Sequence, residues 1–405
     1  MGGLTASTPK ATVMTMNASS TFDVIVIGAG ACGGTTAYFL SLEGLSVALF
    51  DQGSAAREAS WASAGMIGPQ SSPPRDPWFL KATTLSRELY DRLDVELFEQ
   101  TGRQIGYGGE GALRFARSES EAGCLGTDVE IQTAAGVPTH LLDGPESRKR
   151  EPALPDDVAA SVWWPESRFL DARTYTATVV RAAVLLGVTL HEGVRITGLA
   201  SDGDRVIGVQ SGGEVWHAGI VINAGGAWAG RVDPRLTHPV FPYHGQIMAV
   251  AGPSCGLRHN VSRVGSSGYA TPRADGHVVV GATHDTWGYQ KKITSAGMGY
   301  LASIVVDILP CLEEMPVLDV WSGLRPGTED GLATIGPDPR LDGGYLWGAG
   351  HSAAGMMQMP ATAAVLTDLV LDRPPRIPIG QLRFERYLKD LEEPSEGGRA
   401  QSQVW

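Results

Sequence analysis

Three glycines and one acidic residue near the start of the sequence have the types and spacing needed to bind a nucleotide. Gly28, Gly30 and Gly33 form the pattern G-x-G-x-x-G, and Asp51 follows 23 residues after Gly28. The first glycine permits a tight turn, the second lets the backbone approach a pyrophosphate, and the third lets a helix pack closely on a strand. The carboxylate of Asp51 is placed to accept hydrogen bonds from an adenosine ribose.

The segments around these residues predict a βαβ unit that would position them. Residues 24–27 are apolar and β-branched, which is typical of a strand buried on both faces. The glycines then open a helix over about 31–43, and a second strand over 45–50 ends at Asp51. Because the helix N-terminus offers unpaired N–H groups to phosphate, the complete unit indicates a dinucleotide site.

Composition excludes several other classes of function. The 405 residues carry a net charge of −12, which argues against a nucleic-acid-binding surface and against attraction to anionic membranes. No apolar run is long enough to span a bilayer, and residues 1–20 lack the continuous apolar core of a secretory signal. The four cysteines, Cys32, Cys124, Cys255 and Cys311, are scattered and form no C-x-x-C pair. We therefore expect reduced thiols in the cytoplasm and no metal site.

The rest of the chain alternates helical and β-rich segments. Asp171 is placed to N-cap a helix that stops at Gly187. Residues 188–223 predict a β-meander, and residues 240–285 predict a second β-rich block. The other predicted elements are a helix over 78–102, a strand or hairpin over 106–117, a helix over 295–309, a strand over 317–321 and a closing helix over 361–371.

Two later glycine-rich turns indicate which dinucleotide binds. Residues 220–228 form an apolar strand that ends in Asn-Ala-Gly-Gly-Ala-Trp, where the backbone must pass close to a flat ligand. Residues 348–356 again combine a strand end with a glycine turn that enters a helix, and the dipole of that helix could face the flavin edge that becomes negative on reduction. An NAD enzyme needs no second glycine-rich helix start so far along the chain, so the sequence favours FAD.

The same segments resemble the glycine oxidase and D-amino-acid oxidase family of FAD-dependent amine oxidases, and within it the bacterial glycine oxidases. The resemblance covers about residues 22–371 and is carried by DVIVIGAGACGG, ASWASAGMIGP, VINAGGAWAG, GYATPRADGHVVVGAT, WSGLRPGTEDGLATIGPDP and GAGHSAAGMMQMPATA. It implies an α/β fold in which a Rossmann-like FAD-binding domain of the glutathione reductase type carries a discontinuous α+β substrate domain built on an antiparallel sheet.

The expected domain limits follow from that implied fold. The FAD-binding domain would comprise residues 21–105, 150–235 and 322–375, and the substrate-binding domain residues 106–149 and 236–321. Residues 1–20 would be a disordered tail, and residues 376–405 a C-terminal helix and tail. The ligand is expected at the junction of the two domains.

The resemblance also implies a set of FAD contacts. They are Gly28, Gly30, Ala31, Cys32, Gly33, Asp51, Gln52, Ser60, Ala64, Gly65, Met66, Val194, Ala224, Gly225, Trp228, Gly350, His351, Ala354, Gly355 and Met356. Relatives with covalent flavin use a cysteine soon after the arginine of the final segment. Residues 326–336 of this chain contain neither cysteine nor histidine, so FAD is expected to be bound non-covalently.

Two residues correspond to the family's carboxylate-binding groups. Arg325, in Gly-Leu-Arg-Pro-Gly, matches the arginine that fixes the substrate carboxylate, and Tyr269 matches the tyrosine whose hydroxyl helps to hold it. A planar guanidinium suits this task because two parallel hydrogen bonds give orientation as well as charge. The alternatives are a structural salt bridge from Arg325 to Glu329 or Asp330, and a packing role for Tyr269.

Two further positions bear on substrate choice. His284 falls where the family places a side chain that lines the substrate pocket; it could select a polar substrate group or complete a loop hydrogen bond. Ala353 occupies a position at which glycine oxidases often carry a second arginine. The alanine would remove a carboxylate contact and widen the site, leaving room for a larger D-amino acid or an N-substituted glycine.

The implied reaction is oxidative deamination of glycine, sarcosine or a small D-amino acid. Hydride passes from the substrate Cα to flavin N5, water hydrolyses the resulting imine to a 2-oxo acid and ammonia, and O2 is reduced to hydrogen peroxide. The alternatives are a dehydrogenase that uses an acceptor other than O2, and a non-catalytic flavin-binding or NAD-sensing module. A homo-oligomer is also expected.

Overall fold

The computed structural model describes residues 21–68, 77–253 and 256–388. The predictions for residues 1–20, for Cys255 and for the end of the chain beyond residue 388 lie outside these ranges. The strands are β1 (Thr21–Ile27), β2 (Val47–Phe50), β3 (Met66–Ile67), β4 (Ala112–Ala116), β5 (His140–Asp143), β6 (Ala160–Trp164), β7 (Arg168–Phe169), β8 (Thr189–His191), β9 (Gly198–Asp202), β10 (Arg205–Ser211), β11 (Glu214–Asn223), β12 (Phe241–Val250), β13 (Asn260–Arg263), β14 (Tyr269–Pro272), β15 (Val278–Gly281), β16 (Val317–Gly327), β17 (Thr334–Pro337) and β18 (Tyr345–Ala349). The helices are α1 (Ala31–Leu42), α2 (Ala59–Ala62), α3 (Pro77–Thr101), α4 (Glu119–Ala134), α5 (Gly144–Arg150), α6 (Ala172–Leu185), α7 (Ser295–Ile308) and α8 (Gly355–Val370).

The first of two large sheets is mainly parallel and has the strand order β17-β18-β11-β1-β2-β8. Strands β1, β2, β8, β11 and β18 run parallel, whereas β9, β10 and β17 pair antiparallel at the sides. Helices α1 and α8 pack on one face of this sheet, and α3 and α6 pack against these helices in the same apolar cluster. The apolar run of β1 is buried on both faces because side chains from both layers contact it.

The second large sheet is mainly antiparallel and has the order β16-β12-β15-β14-β13-β4-β6-β5. Helix α7 covers its outer face, where residues such as Met248 and Val280 pack against Leu301 and Ile304. At one end of the opposite face, α4 packs on β4, β5 and β6. Together the two sheets confirm the predicted α/β fold with a Rossmann-like domain and a second domain built on an antiparallel sheet.

Some of the predicted helices and strands are confirmed and others differ from the observed ones. The helix capped by Asp171 is confirmed, since its carboxylate accepts a 2.8 Å hydrogen bond from Thr174 N. The predicted meander was wrong at its start, because β8 joins the parallel sheet beside β2 and only β9, β10 and β11 form antiparallel pairs. The predicted C-terminal helix and tail lie largely outside the described residues, and residues 376–388 contain two short 3-10 helices, Gly380–Leu382 and Phe384–Tyr387.

Two of the expected domain limits also disagree with the sheets. The limit at 321/322 falls inside β16, an eleven-residue strand that belongs to the antiparallel sheet throughout. The segment 150–235 was assigned to the FAD-binding domain, yet it contains β6, which pairs with β4 and β5 in the same antiparallel sheet. The local apolar pattern of a strand does not reveal which sheet it joins, because pairing partners lie far away along the chain.

Helix α8 starts at Gly355, six residues before the predicted start at residue 361, and continues through Pro360. A proline has no N–H to donate to the carbonyl four residues earlier, which here is Met356 O. The Tyr90 hydroxyl of α3 donates to that carbonyl at 2.7 Å, and Ser86 Oγ accepts from Ala361 N at 3.2 Å. Helix α3 therefore stabilises the turn that Pro360 would otherwise disrupt, which the sequence pattern of α8 alone does not indicate.

Replacing Tyr90 with phenylalanine should lower the free energy of unfolding by about 1–3 kcal/mol, because the buried Met356 carbonyl would lose its partner. Denaturant unfolding of the two proteins measures the difference. Tyr300→Phe serves as the control, because its hydroxyl bonds to Ser267 at an exposed position, and it should change stability by less than about 0.5 kcal/mol. Equal effects of the two changes would contradict this role for Tyr90.

Candidate active site

The carboxyl ends of four parallel strands meet at one edge of the first sheet. Ile27 of β1 lies in register with Phe50 of β2 and with Asn223 of β11, which in turn pairs with Trp347 of β18. The three glycine-rich turns and Asp51 follow these strand ends directly. They converge on one cavity of about 710 Å³ that lies between the two sheets. Ligands of open α/β sheets bind at this kind of edge.

Most of the predicted FAD contacts line this cavity. They are Gly28, Gly30, Ala31, Cys32, Asp51, Gln52, Ser60, Ala64, Gly65, Met66, Val194, Ala224, Gly225, Trp228, His351, Gly355 and Met356. Gly33, Gly350 and Ala354 do not line it. Gly33 instead packs against the first turn, where a Cβ atom would overlap Gly28 O. Gly350 has a φ of +83°, and Ala354 is the N-cap residue of α8.

The first glycine turn is held against the second. Gly28 has a φ of +98°, and a Cβ atom there would overlap the carbonyl oxygen of Ala224. Gly30, the N-cap residue of α1, contributes no side-chain hydrogen bond to the helix, and Ala31 N donates to Ser60 Oγ at 2.9 Å. The first turn of α1 lines the cavity through Ala31 and Cys32. An N-terminus without a capping side chain at its own N-cap residue suits a phosphate group.

Asp51 has the position and chemistry expected of a ribose-binding carboxylate. Its Oδ2 accepts from Ala29 N at 2.9 Å, and its Oδ1 accepts from Gly53 N at 2.8 Å. Each oxygen retains further acceptor capacity, since an ionised carboxylate offers about four lone-pair sites. Burial raises the pKa of Asp51, and these two backbone hydrogen bonds oppose that shift.

The third glycine turn leads into α8, whose N-cap residue Ala354 also provides no side-chain hydrogen bond. Gly355, Met356, Met357 and Met359 from the start of this helix line the cavity. A helix N-terminus carries partial positive charge, which stabilises negative charge that develops nearby. The first two glycine turns, the carboxylate of Asp51 and this second helix N-terminus together fit FAD better than a nicotinamide dinucleotide.

Arg325 projects from β16 into the same cavity with room made by a glycine. Arg325 lies opposite Tyr243 of the neighbouring strand β12. A Cβ atom on Gly245 of the same strand would overlap the Arg325 guanidinium. Its Nη1 donates to Thr283 O at 3.4 Å. Burial lowers the pKa of Arg325, while the phenolic groups of Tyr269 and Tyr243 oppose that shift. Arginine nonetheless stays charged in proteins, so the guanidinium presents a positive charge to the cavity.

The structure argues against the structural salt bridge considered for Arg325. Asp330 instead pairs with Arg386, whose Nε lies 2.6 Å from Asp330 Oδ2. Glu329 is exposed, and Arg325 has no ion pair with any acid among residues 21–68, 77–253 and 256–388. A partly buried guanidinium without a carboxylate partner is costly, so the cavity is suited to receive an anion.

Tyr269 lies beside this charge. Tyr269 of β14 lies opposite Gly281 of the neighbouring strand β15. A Cβ atom on that glycine would come within 2.5 Å of the tyrosine hydroxyl oxygen. Burial raises the pKa of Tyr269, while the positive charges of Arg325 and Arg273 oppose that shift. The hydroxyl is therefore neutral at physiological pH and able to donate a hydrogen bond into the cavity.

His284 and Ala353 also line the cavity. The His284 ring centroid lies 5.7 Å from that of Tyr243. Burial and then the positive charge of Arg325 lower the pKa of His284 to about 4. The imidazole is thus neutral at physiological pH. Ala353 belongs to the 3-10 helix Ser352–Ala354, which directly precedes α8.

The pH profile of kcat/KM should be insensitive to His284 between about pH 5 and 8. Its pKa is lowered to about 4 in the folded protein, so this imidazole gains a proton only below that range. Wild type and His284→Leu should give profiles of the same shape, measured with one substrate in a constant-ionic-strength buffer series. A kinetic pKa near the ordinary histidine value that disappears in His284→Leu would contradict this assignment.

A cluster of one arginine and two tryptophans connects α2 and α6 to β16. The Arg173 guanidinium lies 3.7 Å from the ring centroid of Trp61 and 4.1 Å from that of Trp321. Trp321 Nε1 donates to Ala62 O at 3.1 Å, and Ala62 packs on Gly323, where a Cβ atom would overlap it. These contacts fix α2, which carries Ser60, against the strand that carries Arg325.

The sequence analysis missed other cavity residues that could contact ligands. They include Arg114, Arg195, Arg231, Ser266 and Ser267. None lies in the three glycine-rich turns at the end of the parallel strands or in a motif of fixed spacing, and only strand register brings Arg114 to the cavity. Among the described residues no cluster suited to a metal ion is found, and no described helix is long and apolar enough to cross a bilayer.

Comparisons with known proteins agree with this geometry. A family model described as FAD dependent oxidoreductase (DAO) matches residues 23–369. The chain is 32% identical to the glycine oxidase of Pseudomonas aeruginosa, over 89% of this chain and 99% of that protein. Its fold matches the crystal structure of glycine oxidase from Geobacillus kaustophilus with a TM-score of 0.86 and 28% identity, covering 91% and 100% of the two chains.

A further solved structure is an iminodiacetate oxidase from a Chelativorans species. It matches with a TM-score of 0.80 and 27% identity, covering 89% of this chain and 98% of that one. The resemblance noted in the sequence is thus confirmed over nearly the whole described fold. The chain belongs to the DAO family of FAD-dependent oxidoreductases and is an FAD-dependent amino-acid oxidase.

Proposed function

We propose that this enzyme oxidatively deaminates a small amino acid, with glycine, sarcosine and small D-amino acids as the first candidates. The observation that carries the proposal is Arg325, a guanidinium without a carboxylate partner among the described residues, which lies beside the Tyr269 hydroxyl in the cavity that fits FAD. The names of two similar proteins, glycine oxidase and iminodiacetate oxidase, support a substrate built on a glycine unit.

In this proposal Arg325 binds the substrate carboxylate through two parallel hydrogen bonds, and Tyr269 donates a third. These contacts fix the position of the substrate Cα, and placement is the main contribution of a protein to flavin chemistry. The cavity lining would hold FAD, which when bound would supply the acceptor for the hydride that leaves Cα, with O2 as the final electron acceptor. The substrate becomes an imine, which water hydrolyses to a 2-oxo acid and ammonia, or to a 2-oxo acid and methylamine when the substrate is sarcosine.

The chain supplies no general base in this scheme, because an amino group that binds in its neutral form needs none. His284 is neutral, with its pKa lowered to about 4, and adds no positive charge beside the substrate amine. The small side chain of Ala353 leaves room in the cavity for a side chain or an N-substituent. We propose on this basis that glycine is accepted without being the only substrate.

A substrate screen tests this proposal and also identifies the acceptor. Purified enzyme is supplied with each amino acid in air, and hydrogen peroxide and ammonia are measured together. The expected result is one peroxide and one ammonia per substrate oxidised for at least one amino acid with a primary amine. Turnover with an artificial dye but without peroxide would instead support a dehydrogenase, and no turnover with any acceptor would contradict the proposal.

FAD should be released when the protein is denatured in acid. Cys32 is the one cysteine among the described residues that lines the cavity, and burial raises the pKa of its thiol to about 12. A thiol that stays protonated is a poor nucleophile for attachment to the flavin. All flavin absorbance is therefore expected in the supernatant after acid precipitation. A yellow pellet that keeps its flavin after washing would show a covalent bond.

A further inference from the structure

A buried polar network lies behind the strand over which the Arg325 guanidinium rests. In β12, His244 and Gln246 flank Gly245, the residue that faces the guanidinium. Because successive side chains of a strand point to opposite faces, His244 and Gln246 lie on the face of the sheet away from the cavity. Both are fully buried. The backbone beneath the guanidinium is therefore anchored from behind.

The turn that follows β15 pairs with this part of β12. His244 N donates to Asp285 O at 2.9 Å, and Asp285 N donates to His244 O at 3.0 Å. Thr283 N donates to Gln246 O at 3.1 Å. The same turn presents Thr283 O to Arg325 Nη1 at 3.4 Å. The two backbone segments next to the guanidinium are therefore hydrogen-bonded to each other.

The Asp285 carboxylate connects side chains of these two segments through a single oxygen. Its Oδ2 accepts from Thr283 Oγ1 at 3.0 Å and lies 3.4 Å from His244 Nδ1. The Thr283 hydroxyl oxygen in turn accepts from Gln246 N at 3.0 Å. The His244 side chain is fully buried, and that of Asp285 is 27% exposed. Buried polar groups are costly to leave without a partner, so the carboxylate fixes the turn against β12.

The second ring nitrogen of His244 extends the network to the next loop. Its Nε2 lies 3.1 Å from Lys292 O and 3.3 Å from Lys292 N. The Trp287 ring centroid lies 4.7 Å from that of His244. The imidazole is thus held between Asp285 and Lys292, and a rotation of the ring would break contacts on both sides.

Asp285 influences Arg325 without touching it. Within residues 21–68, 77–253 and 256–388, no ion pair or hydrogen bond joins the two side chains, and Asp285 does not line the cavity. Burial lowers the pKa of Arg325, and the charge of Asp285 is among the groups that oppose this shift. Asp285 could therefore act through the hydrogen-bonded turn or through its charge, and the two predict different effects of an asparagine.

We propose that Asp285 is a positioning residue for substrate binding, which through Thr283 and His244 holds the Arg325 guanidinium in the orientation that receives the substrate carboxylate. This inference rests on the proposed function, because the carboxylate is that of the proposed substrate. A guanidinium forms two parallel hydrogen bonds with a carboxylate only when the two groups share a plane. A small rotation of Arg325 would therefore lose part of the contact.

Replacing Asp285 with alanine should lower kcat/KM by about threefold to thirtyfold, mainly through a higher KM, while the FAD content stays the same. The effect is smaller than that of removing Arg325, because a misplaced guanidinium keeps part of the charged contact. Asp285→Asn should keep most of the wild-type value. An amide oxygen has two lone pairs, so it can accept from both Thr283 and His244 as the carboxylate oxygen does.

Asp275→Ala is the matched control. Asp275 pairs with His277 in the turn between β14 and β15, and it does not line the cavity. This change removes an aspartate with a histidine partner from the same pair of strands, and it should leave kcat/KM unchanged. If Asp285→Ala does not fold, Thr283→Val removes the same hydroxyl link with little change of shape and takes its place.

A double-mutant cycle tests whether Asp285 acts through Arg325. Residues that act through one another have non-additive effects. In an Arg325→Ala background, Asp285→Ala should therefore change neither kcat/KM nor the Kd of acetate, which is titrated into the FAD-loaded enzyme and followed by flavin absorbance. Additive effects, unchanged kinetics in Asp285→Ala, or equal losses in Asp285→Ala and Asp285→Asn would overturn the inference.

The two levels of proposal can fail separately. An enzyme that oxidises an amino acid but shows additive effects in the cycle contradicts only the role of Asp285. An enzyme whose flavin is reduced by no amino acid contradicts the proposed function, and the acetate titrations then still decide whether Asp285 orients Arg325 toward a carboxylate. A wild type that neither oxidises an amino acid nor binds acetate contradicts both.

Discussion

Replacing Arg325 with alanine should lower kcat/KM by about 30-fold to 1,000-fold while FAD remains bound. A charged, two-pronged contact with a carboxylate contributes roughly 2–4 kcal/mol, and each 1.36 kcal/mol corresponds to about tenfold in rate. The folded protein should tolerate the change, because the hydrogen bond found for Arg325 among the described residues is a 3.4 Å contact with Thr283 O. Steady-state kinetics and the flavin content of the purified variant measure the two effects.

Gly245→Ala provides a second route to the same effect with the arginine retained. Its new methyl group would overlap the Arg325 guanidinium and displace it, so kcat/KM should fall although the charge is still present. Arg92→Ala is the control for loss of a positive charge, since Arg92 is a largely exposed residue that pairs with Glu96 on the surface of α3. Unchanged kinetics in Arg325→Ala would mean that the substrate carboxylate binds elsewhere.

Replacing Gly28 with alanine should weaken FAD binding by about tenfold to a hundredfold. The added Cβ would overlap the Ala224 carbonyl and force apart the first two glycine turns, and overpacking of this kind costs about 1–3 kcal/mol. The variant should therefore be purified with little flavin. Titration of the apoprotein with FAD, followed by flavin fluorescence, measures the change in Kd.

Gly44→Ala separates this effect from backbone strain. Gly44 has a φ of +82°, close to the +98° of Gly28, but a Cβ atom at Gly44 would meet nothing within 4 Å. Both variants carry the cost of placing alanine in the left-handed region, about 1–2 kcal/mol. Only Gly28→Ala should lose FAD, and comparable FAD affinity in the two variants would contradict the role assigned to the first turn.

The nucleotide half of the cavity was predictable because its determinants are local. A tight turn between a buried strand and a helix requires glycine at Gly28, and Asp51 must follow the next strand, so both leave a fixed spacing in the sequence. The turns at residues 224–226 and 348–350 likewise show glycines directly after an apolar strand. Parallel pairing then places all three at one edge of the sheet.

The substrate half was less predictable because it depends on register between distant strands. The family resemblance pointed to Arg325 and Tyr269, and the structure places both at the cavity, but their roles remain predictions. Arg114 carries no motif and reaches the cavity through pairing with β13, which lies well over 100 residues later in the chain. The closing helix was predicted to start only after Pro360, although a helix was expected after the third glycine turn, because the tyrosine that compensates for this proline belongs to another helix.

Anaerobic mixing of the purified, FAD-loaded enzyme with glycine, sarcosine and a panel of D-amino acids tests the central claim most directly. The proposal predicts that at least one of them reduces the bound flavin and bleaches its visible absorbance band, and that Arg325→Ala slows this reduction at low substrate concentration. A flavin band that none of these compounds bleaches, in a protein with full FAD content, would contradict it.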